Sequence, residues 1–238
     1  MRNNNVTCLI PAWNAADTIG RAIESVLRQT APVSEIVVID DGSTDETSAV
    51  VAAIGKPVRL LHQRNAGPEA ARNRGIAESS GHLIAFLDAD DVWISNKIER
   101  QLSVMHERPQ VGVTGCLVRN IATSDHPALR TQLQRYGDRP VPGWKGSDVL
   151  VRRSTFEQTG VFDVSLRHSG ITEWLQRCAA AGVERYLLPE ALVERYLRPD
   201  SYSTLRTAAG SSESLDEYLM LAHRRIAAHR EQRKPRES

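Results

Sequence analysis

Two carboxylates stand two residues apart at Asp88 and Asp90, with a third at Asp91, directly behind the apolar run Leu83–Leu87. On an extended backbone, alternate residues project to the same side, so Asp88 and Asp90 are expected to face one site. Carboxylates held so close repel each other unless a cation or hydrogen-bond donors satisfy them. A hard divalent ion with oxygen ligands, keeping water and binding substrate phosphates, is the natural partner for such a pair. The competing use is structural: acids in this position cap a following helix, and Asp91 is the candidate for that task.

A second acidic pair, Asp40-Asp41, ends the apolar run that starts at Glu35 and leads into Gly42-Ser43. Gly42 permits a sharp turn, and Ser43, Thr44 or Asp45 can cap the helix that follows. Turn and cap chemistry is the plain reading of Asp40. Asp41 has a more specific use, because a carboxylate accepts the imide N–H of uracil, which cytosine lacks. Further on, Arg72-Asn73-Arg74-Gly75 places Arg72 on a helix. Its guanidinium either forms bidentate contacts with phosphate or a base edge, or is simply solvated, as most helix arginines are.

These residues need a scaffold, and the first hundred positions supply a regular one. Strands are expected at Val6–Pro11, Glu35–Asp40, Val58–His62 and Leu83–Asp88. Helices are expected at Thr18–Arg28, Asp45–Ile54, Pro68–Ser79 and Ser95–Arg108, with Asp17 marking the first start and Pro68 in the first turn of the third. Continuous apolar strands alternating with helices indicate an α/β fold with a mainly parallel sheet flanked by helices. Right-handed crossovers would bring the strand C-termini to one edge, where open α/β sheets bind ligands. Pro11–Asn14, Asp40–Asp41 and Asp88–Asp91 all fall there.

The second half is less periodic. Strands are expected at Val111–Arg119, Asp148–Val151, Val183–Leu188 and Ala191–Leu197, with a short helix after the second and another at Thr172–Ala181. Asn120–Gly143 is polar and reads as a loop. A last helix starts near Ser214, whose Ser-Leu-Asp-Glu run forms a capping box.

Composition excludes several classes. With 30 basic and 29 acidic residues in 238, the net charge of +1 gives no pull toward nucleic acid. Cys8, Cys116 and Cys178 make no Cys-x-x-Cys, which argues against a disulfide scaffold or zinc knuckle. The first apolar run is too short for a signal peptide, and no stretch reaches the ~20 apolar residues of a membrane span. A cytoplasmic location is expected, peripheral to a membrane if the tail makes contact. No Gly-x-Gly-x-x-Gly or Gly-x-x-x-x-Gly-Lys-[Ser/Thr] is present for a dinucleotide or a nucleoside triphosphate.

The segments VTCLIPAWNAADTIGRAIESVLRQT, EIVVIDDGSTDET, RNAGPEAARNRGIAES and HLIAFLDADDVW, in that order, resemble the family 2 glycosyltransferases of the GT-A fold. A looser likeness continues through VLVRRSTFEQTGVFDVSLR to about residue 205. The resemblance implies a GT-A domain over residues 1–205, with a nucleotide-sugar half (1–110) and an acceptor half (111–205). Residues 206–238 form a separate C-terminal helix and basic tail. It further implies that Pro11, Ala12, Asn14 and Asp41 hold the nucleobase, that Arg72 closes over it, and that Asp88 contacts the ribose region. Asp90 would ligate Mg²⁺ or Mn²⁺ bridging the diphosphate of a UDP-sugar. The acceptor, whether a glycan, lipid-linked saccharide, peptide or small molecule, is left open.

The likeness breaks at the catalytic base. The family commonly carries Glu-Asp ahead of a helix containing Trp and Arg. Aligning Trp174 and Arg177 puts Gly170-Ile171 at that pair, and isoleucine accepts no proton. Glu173 and His168 are the candidate replacements, although Glu173 lies about 200° around a helix from Ile171. Arg198 stands where the family often has a histidine. Two readings follow: an active metal-dependent transferase, or a non-catalytic nucleotide-sugar-binding protein or partner subunit that has lost its base. The terminal helix, apolar at Leu215, Leu219, Ala222 and Ile226, would dock on the domain, on a second copy in a homodimer, or weakly on a membrane.

Overall fold

A computed structural model describes residues 5–199, apart from 128, 131–132, 134–138 and 167–169. Four strands form its parallel centre: β1 (Val6–Ala12), β2 (Glu35–Asp40), β3 (Val58–His62) and β4 (Leu83–Phe86). They are ordered β3-β2-β1-β4, with Leu9 opposite Val37 on one side and Phe86 on the other. Helices α1 (Ile19–Leu27), α2 (Thr47–Ile54) and α3 (Pro68–Glu78) make the crossovers. The expected strand C-termini therefore gather at one edge.

The sheet continues past β4 with mixed directions. β8 (Leu150–Arg152) runs antiparallel to β4, and β6 (Val111–Ala122) antiparallel to β8. β9 (Glu184–Leu197) lies parallel to β6, and the two-residue β5 (Val92–Trp93) closes the edge against β9. β7 (Val141–Pro142) pairs with β6. Helix α4 (Lys97–Glu107) links β5 to β6, while α5 (Arg153–Thr159) and α6 (Gly170–Ala180) follow β8.

Alternation along the strands feeds two cores. Cys8, Ile10, Val38 and Leu87 face one layer with Ile19, Ile23 and Ile98, while Leu9, Val37, Ile84 and Phe86 face the other. The second layer holds the rings of Phe86, Phe156, Phe162 and Trp174, with Phe156 and Trp174 stacked at 4.7 Å. Helix α3 lies close on the sheet because Gly75 has no side chain; a Cβ there would meet Ile39 Cδ1 at 2.9 Å. The cysteines are free and buried.

Several local expectations are corrected. β4 ends at Phe86, so Asp88 and Asp90 lie in a turn, closed by the Asp91 N–H on the Asp88 carbonyl (3.1 Å), and not on a strand. Asp17 does not cap α1, whose N-cap is Thr18 with no side-chain capping bond. The two strands expected at 183–197 are one, interrupted by a register shift around Pro189, which has no N–H to give the ladder. Strand β6 extends to Ala122, into the segment read as loop. No described helix is long and apolar enough to cross a membrane. The terminal helix and basic tail at 206–238 lie outside the described residues.

Candidate functional site

The turn after β1 is fixed to the turn after β2. Asn14 adopts a positive φ of 48°, its N–H donates to Ser43 Oγ (3.0 Å), and its Oδ1 accepts from the Thr44 N–H (2.8 Å). Pro11 and Ala12 are buried strand residues, so they offer a ligand main chain more than side chain. Trp13, between Ala12 and Asn14, is 58% exposed. Trp13 belongs to the Pro11–Asn14 segment expected at this edge, a large aromatic beside polar turns.

Asp40 is a turn-builder: it accepts the Ser43 N–H at 2.8 Å and the Ser48 hydroxyl. Asp45 accepts the Thr47 N–H at 3.0 Å from just ahead of α2, but the N-cap is Glu46, so none of Ser43, Thr44 and Asp45 takes the capping position expected of them. Asp41 accepts from Gln63 Nε2 (2.7 Å), the Ala66 N–H (2.9 Å) and the Gly67 N–H (2.8 Å). It therefore pins the loop leading into α3. A carboxylate has about four lone-pair directions, so three bonds leave room for one more donor.

Helix α3 brings Arg72 to the same edge. Its Nη2 donates to Asp88 Oδ1 at 2.7 Å, and its Nη1 lies 3.5 Å from Glu69 Oε1. Arg72 and Glu69 are buried, and the Asp88 side chain is 36% exposed. Asp90 Oδ2 accepts from Arg198 Nη2 at 3.5 Å, and the Asp90 carbonyl accepts from Arg21 at 3.3 Å. Burial, then the charge of Asp88, holds the Asp90 carboxyl above its ordinary range, with Arg198 pulling it down. The two acids thus share one electrostatic site although the backbone carrying them is a turn.

Asp91 does not cap α4, which begins at Lys97 behind Asn96. It is buried and accepts the Ser147 hydroxyl, while Ser147 Oγ accepts the Asp88 N–H (3.0 Å). The Ser147 carbonyl is held by Trp93 Nε1 (2.7 Å). Next to it, buried Asp148 gathers the N–H groups of Trp144 (2.6 Å), Lys145 (2.9 Å) and Gly146 (3.3 Å). This loop forms the wall opposite the acidic turn. Between them lies a cleft lined by Asp88, Asn120, Lys145, Ser147 and Arg195.

Burial, then the charges of Asp88 and Asp90, pushes the Asp91 carboxyl well above the carboxylate range. Such an acid costs nothing below its unfolded pKa of about 3.9, where both states are protonated. The penalty then grows as pH rises toward the folded pKa. Asp91→Asn should leave Tm nearly unchanged near pH 4 and raise it as pH climbs above that, until the folded carboxyl has ionised. The slope is at most about 1.4 kcal/mol per pH unit. Melting curves of both proteins across that range check this, and an equal loss of stability at every pH would contradict it.

Glu173 is committed elsewhere: both its oxygens pair with Arg177 (2.7 and 2.9 Å), which also donates to the carbonyls of Thr159 and Val161. Ile171, by contrast, reaches the site. A Cβ placed on Gly146 would lie 3.1 Å from Ile171 Cδ1 and 3.6 Å from both Arg72 Nη2 and Asp88 Oδ1. His168 lies outside the described residues.

Among the described residues, no group of three or more His, Cys, Asp or Glu side chains is placed to hold a metal. Two acids with one raised carboxyl still suit a hard cation whose other ligands are phosphate oxygens and water, the usual arrangement for Mg²⁺.

Comparison with known proteins agrees with this architecture. The family model described as glycosyl transferase family 2 matches residues 7–165. The succinoglycan biosynthesis protein ExoO of Rhizobium meliloti is 40% identical over 156 residues, 62% of this chain and 44% of that protein. The Escherichia coli UDP-Glc:alpha-D-GlcNAc-diphosphoundecaprenol beta-1,3-glucosyltransferase WfgD is 43% identical over 102 residues, 42% of this chain and 40% of its own. The match to an uncharacterized glycosyltransferase of Rickettsia bellii spans only 16% of that protein, so this chain corresponds to part of its relatives. Among solved structures, S. aureus TarS 1-349 with UDP-GlcNAc superposes with a TM-score of 0.69 at 16% identity, covering 83% of this chain and 60% of that one. The mannosyltransferase PcManGT of Pyrobaculum calidifontis, with GDP-Man and Mn²⁺, gives 0.67 at 19% identity, covering 85% and 59%. At those identities the structural likeness speaks for the fold.

Proposed function

Because this chain belongs to glycosyl transferase family 2, whose model spans residues 7–165 of its 238, we propose that it moves a sugar from a nucleotide-sugar, foremost a UDP-sugar, to an acceptor hydroxyl. One observation carries the reading: Asp41, Arg72 and the Asp88–Asp90 turn come from three separate segments, yet lie at a single sheet edge. The UDP preference draws on Asp41, on the UDP-glucose named for WfgD and on the UDP-GlcNAc bound to TarS.

In this reading the main chain of Pro11 and Ala12, the Asn14 turn and the spare acceptor of Asp41 hold the base, with exposed Trp13 beside it. Asp88 takes the ribose region. Arg72, held between two carboxylates, turns a fixed cation toward the diphosphate, where charge grows as the bond to the sugar breaks. Asp90 would hold Mg²⁺ or Mn²⁺, which when bound supplies further positive charge against the leaving diphosphate. Arg198 lies beside Asp90 as a protein cation on the same side. The acceptor would enter the cleft between the acidic turn and the Lys145–Ser147 loop. The domain division at about residue 205 goes with this reading.

Ile171 favours a second reading, in which the chain binds the nucleotide-sugar but does not transfer it, because an apolar group stands beside Arg72 and Asp88. Measuring UDP release from a panel of UDP-sugars in Mg²⁺ or Mn²⁺, with GDP-mannose as control, separates the two. Release supports transferase chemistry. Binding without release, whichever acceptors are supplied, supports the second reading, and absence of both removes them together.

A further inference from the structure

Helix α6 opens at Gly170, and a Cβ built there would lie 2.3 Å from Glu69 Cγ and 2.6 Å from Glu69 Oε1. No side chain fits at position 170 while Glu69 keeps its place. Glu69 comes from the opposite wall, one turn before Arg72 on α3, and is only 3% exposed. Its Oε1 stands 3.5 Å from Arg72 Nη1, and the Gly170 N–H donates to its carboxylate. Its Oε2 is buried and has no hydrogen-bond partner among the described residues. Glu69 is the acid of the first turn of α3, where a helix N-terminus favours negative charge, but its side chain is buried instead of facing solvent.

A buried carboxylate with an unused oxygen is costly unless a neighbouring charge requires it. Here that neighbour is Arg72, itself 6% exposed and also in contact with Asp88. The guanidinium has donors on two sides: Asp88 takes Nη2 from the cleft side and Glu69 meets Nη1 from behind. A ligand that engages Asp88, or a diphosphate that draws Nη2 away, would leave Glu69 as the anion fixing the plane of the guanidinium.

We infer that Glu69 is the positioning residue of the donor site, holding Arg72 in the orientation that meets the diphosphate, and that Gly170 lacks a side chain to admit it. The effect on donor binding rests on the function proposed above; the hold on Arg72 does not.

The test compares wild type, Glu69→Gln, Glu69→Ala and the exchanged double variant Glu69→Ala with Gly170→Glu, which returns a carboxylate from the other wall. Glu69→Gln should weaken UDP binding in Mn²⁺ by about tenfold or more, with Tm unchanged or raised. Glu69→Ala should weaken binding as much, with Tm lowered by the cavity and the lost partner, and the double variant should regain most of the lost affinity. Without any ligand, ¹⁵N NMR of the Arg72 guanidinium should show restricted rotation in wild type and free rotation in Glu69→Gln. The inference is overturned if Glu69→Gln leaves both UDP affinity and guanidinium rotation as in wild type, or if its affinity falls only in step with Tm. If wild type binds no UDP, the donor reading fails, and the NMR comparison alone decides for or against Glu69.

Discussion

Asp90→Asn should cut sugar transfer by about a hundredfold or more and remove the metal-dependent part of UDP binding, with the fold intact. Asparagine matches aspartate in size, and its amide oxygen still accepts from Arg198, so the packing of the turn is preserved. What disappears is a negative charge that the protein holds against burial and against Asp88. Removing a raised acid relieves repulsion, so Tm should stay level or rise. The expected pattern is therefore loss of function without loss of stability. Isothermal titration of UDP with and without Mn²⁺, turnover and a melting curve on the same preparation check it. Turnover equal to wild type would mean that Asp90 plays no part at the diphosphate.

Asp148→Ala should destabilise the domain by about 3 kcal/mol or more, the scale for removing one partner from a buried charged network. Three main-chain donors, from Trp144, Lys145 and Gly146, lose their acceptor together. Lys97 suffers as well. It is fully buried, donates to Gln101 Oε1 at 2.8 Å and lies over the Trp93 ring, and Asp148 is among the charges that oppose the lowering of its pKa by burial. Because Ser147 and Asp148 are adjacent, collapse of this loop should also loosen the support of Asp88 and Asp91. Chemical denaturation gives the stability. A change under about 1 kcal/mol would mean that the loop finds other acceptors.

How far the sequence reveals this site depends on whether its residues sit in local patterns. Strands β1 to β4 are legible because runs such as Ile36–Ile39 are apolar, β-branched and ended by aspartate, proline or glycine. Parallel direction then brings the strand C-termini, and with them Asp41 and Asp88, to one edge, whereas the order β3-β2-β1-β4 is not legible in the sequence. Strand β5 is not legible: two residues become a strand only because β9 lies beside them. Pro189 makes β9 read as two strands, since a local break in hydrogen bonding cannot be told from an end.

The supporting residues are hidden for the same reason. Glu69 looks like any acid in the first turn of a helix, and its pairing with Gly170 is a contact across about a hundred residues. Lys97 reads as a surface lysine at a helix start, yet it is among the largest fully buried side chains. Ser147 and Asp148 belong to no motif, and their partners outside the loop come from the acidic turn, β5 and α4. Asp41 lies between these cases. Its position at the ligand edge is plain from the sequence, but its three bonds to the loop before α3 are not. The departure at Gly170-Ile171 is visible in the sequence as a gap; that Ile171, Arg72 and Asp88 all border Gly146, and that Glu69 fills the space over Gly170, is visible only in the fold.

The central claim is that this sheet edge binds the diphosphate of a uridine nucleotide through a metal on Asp90. Calorimetric titration of UDP, with and without Mn²⁺ and with GDP and CDP as controls, tests it most directly. Binding near micromolar, roughly −8 kcal/mol, is expected, preferring UDP and weakening when Mn²⁺ is withdrawn. Absence of binding by any of the three nucleotides, from protein that melts cooperatively, would contradict it.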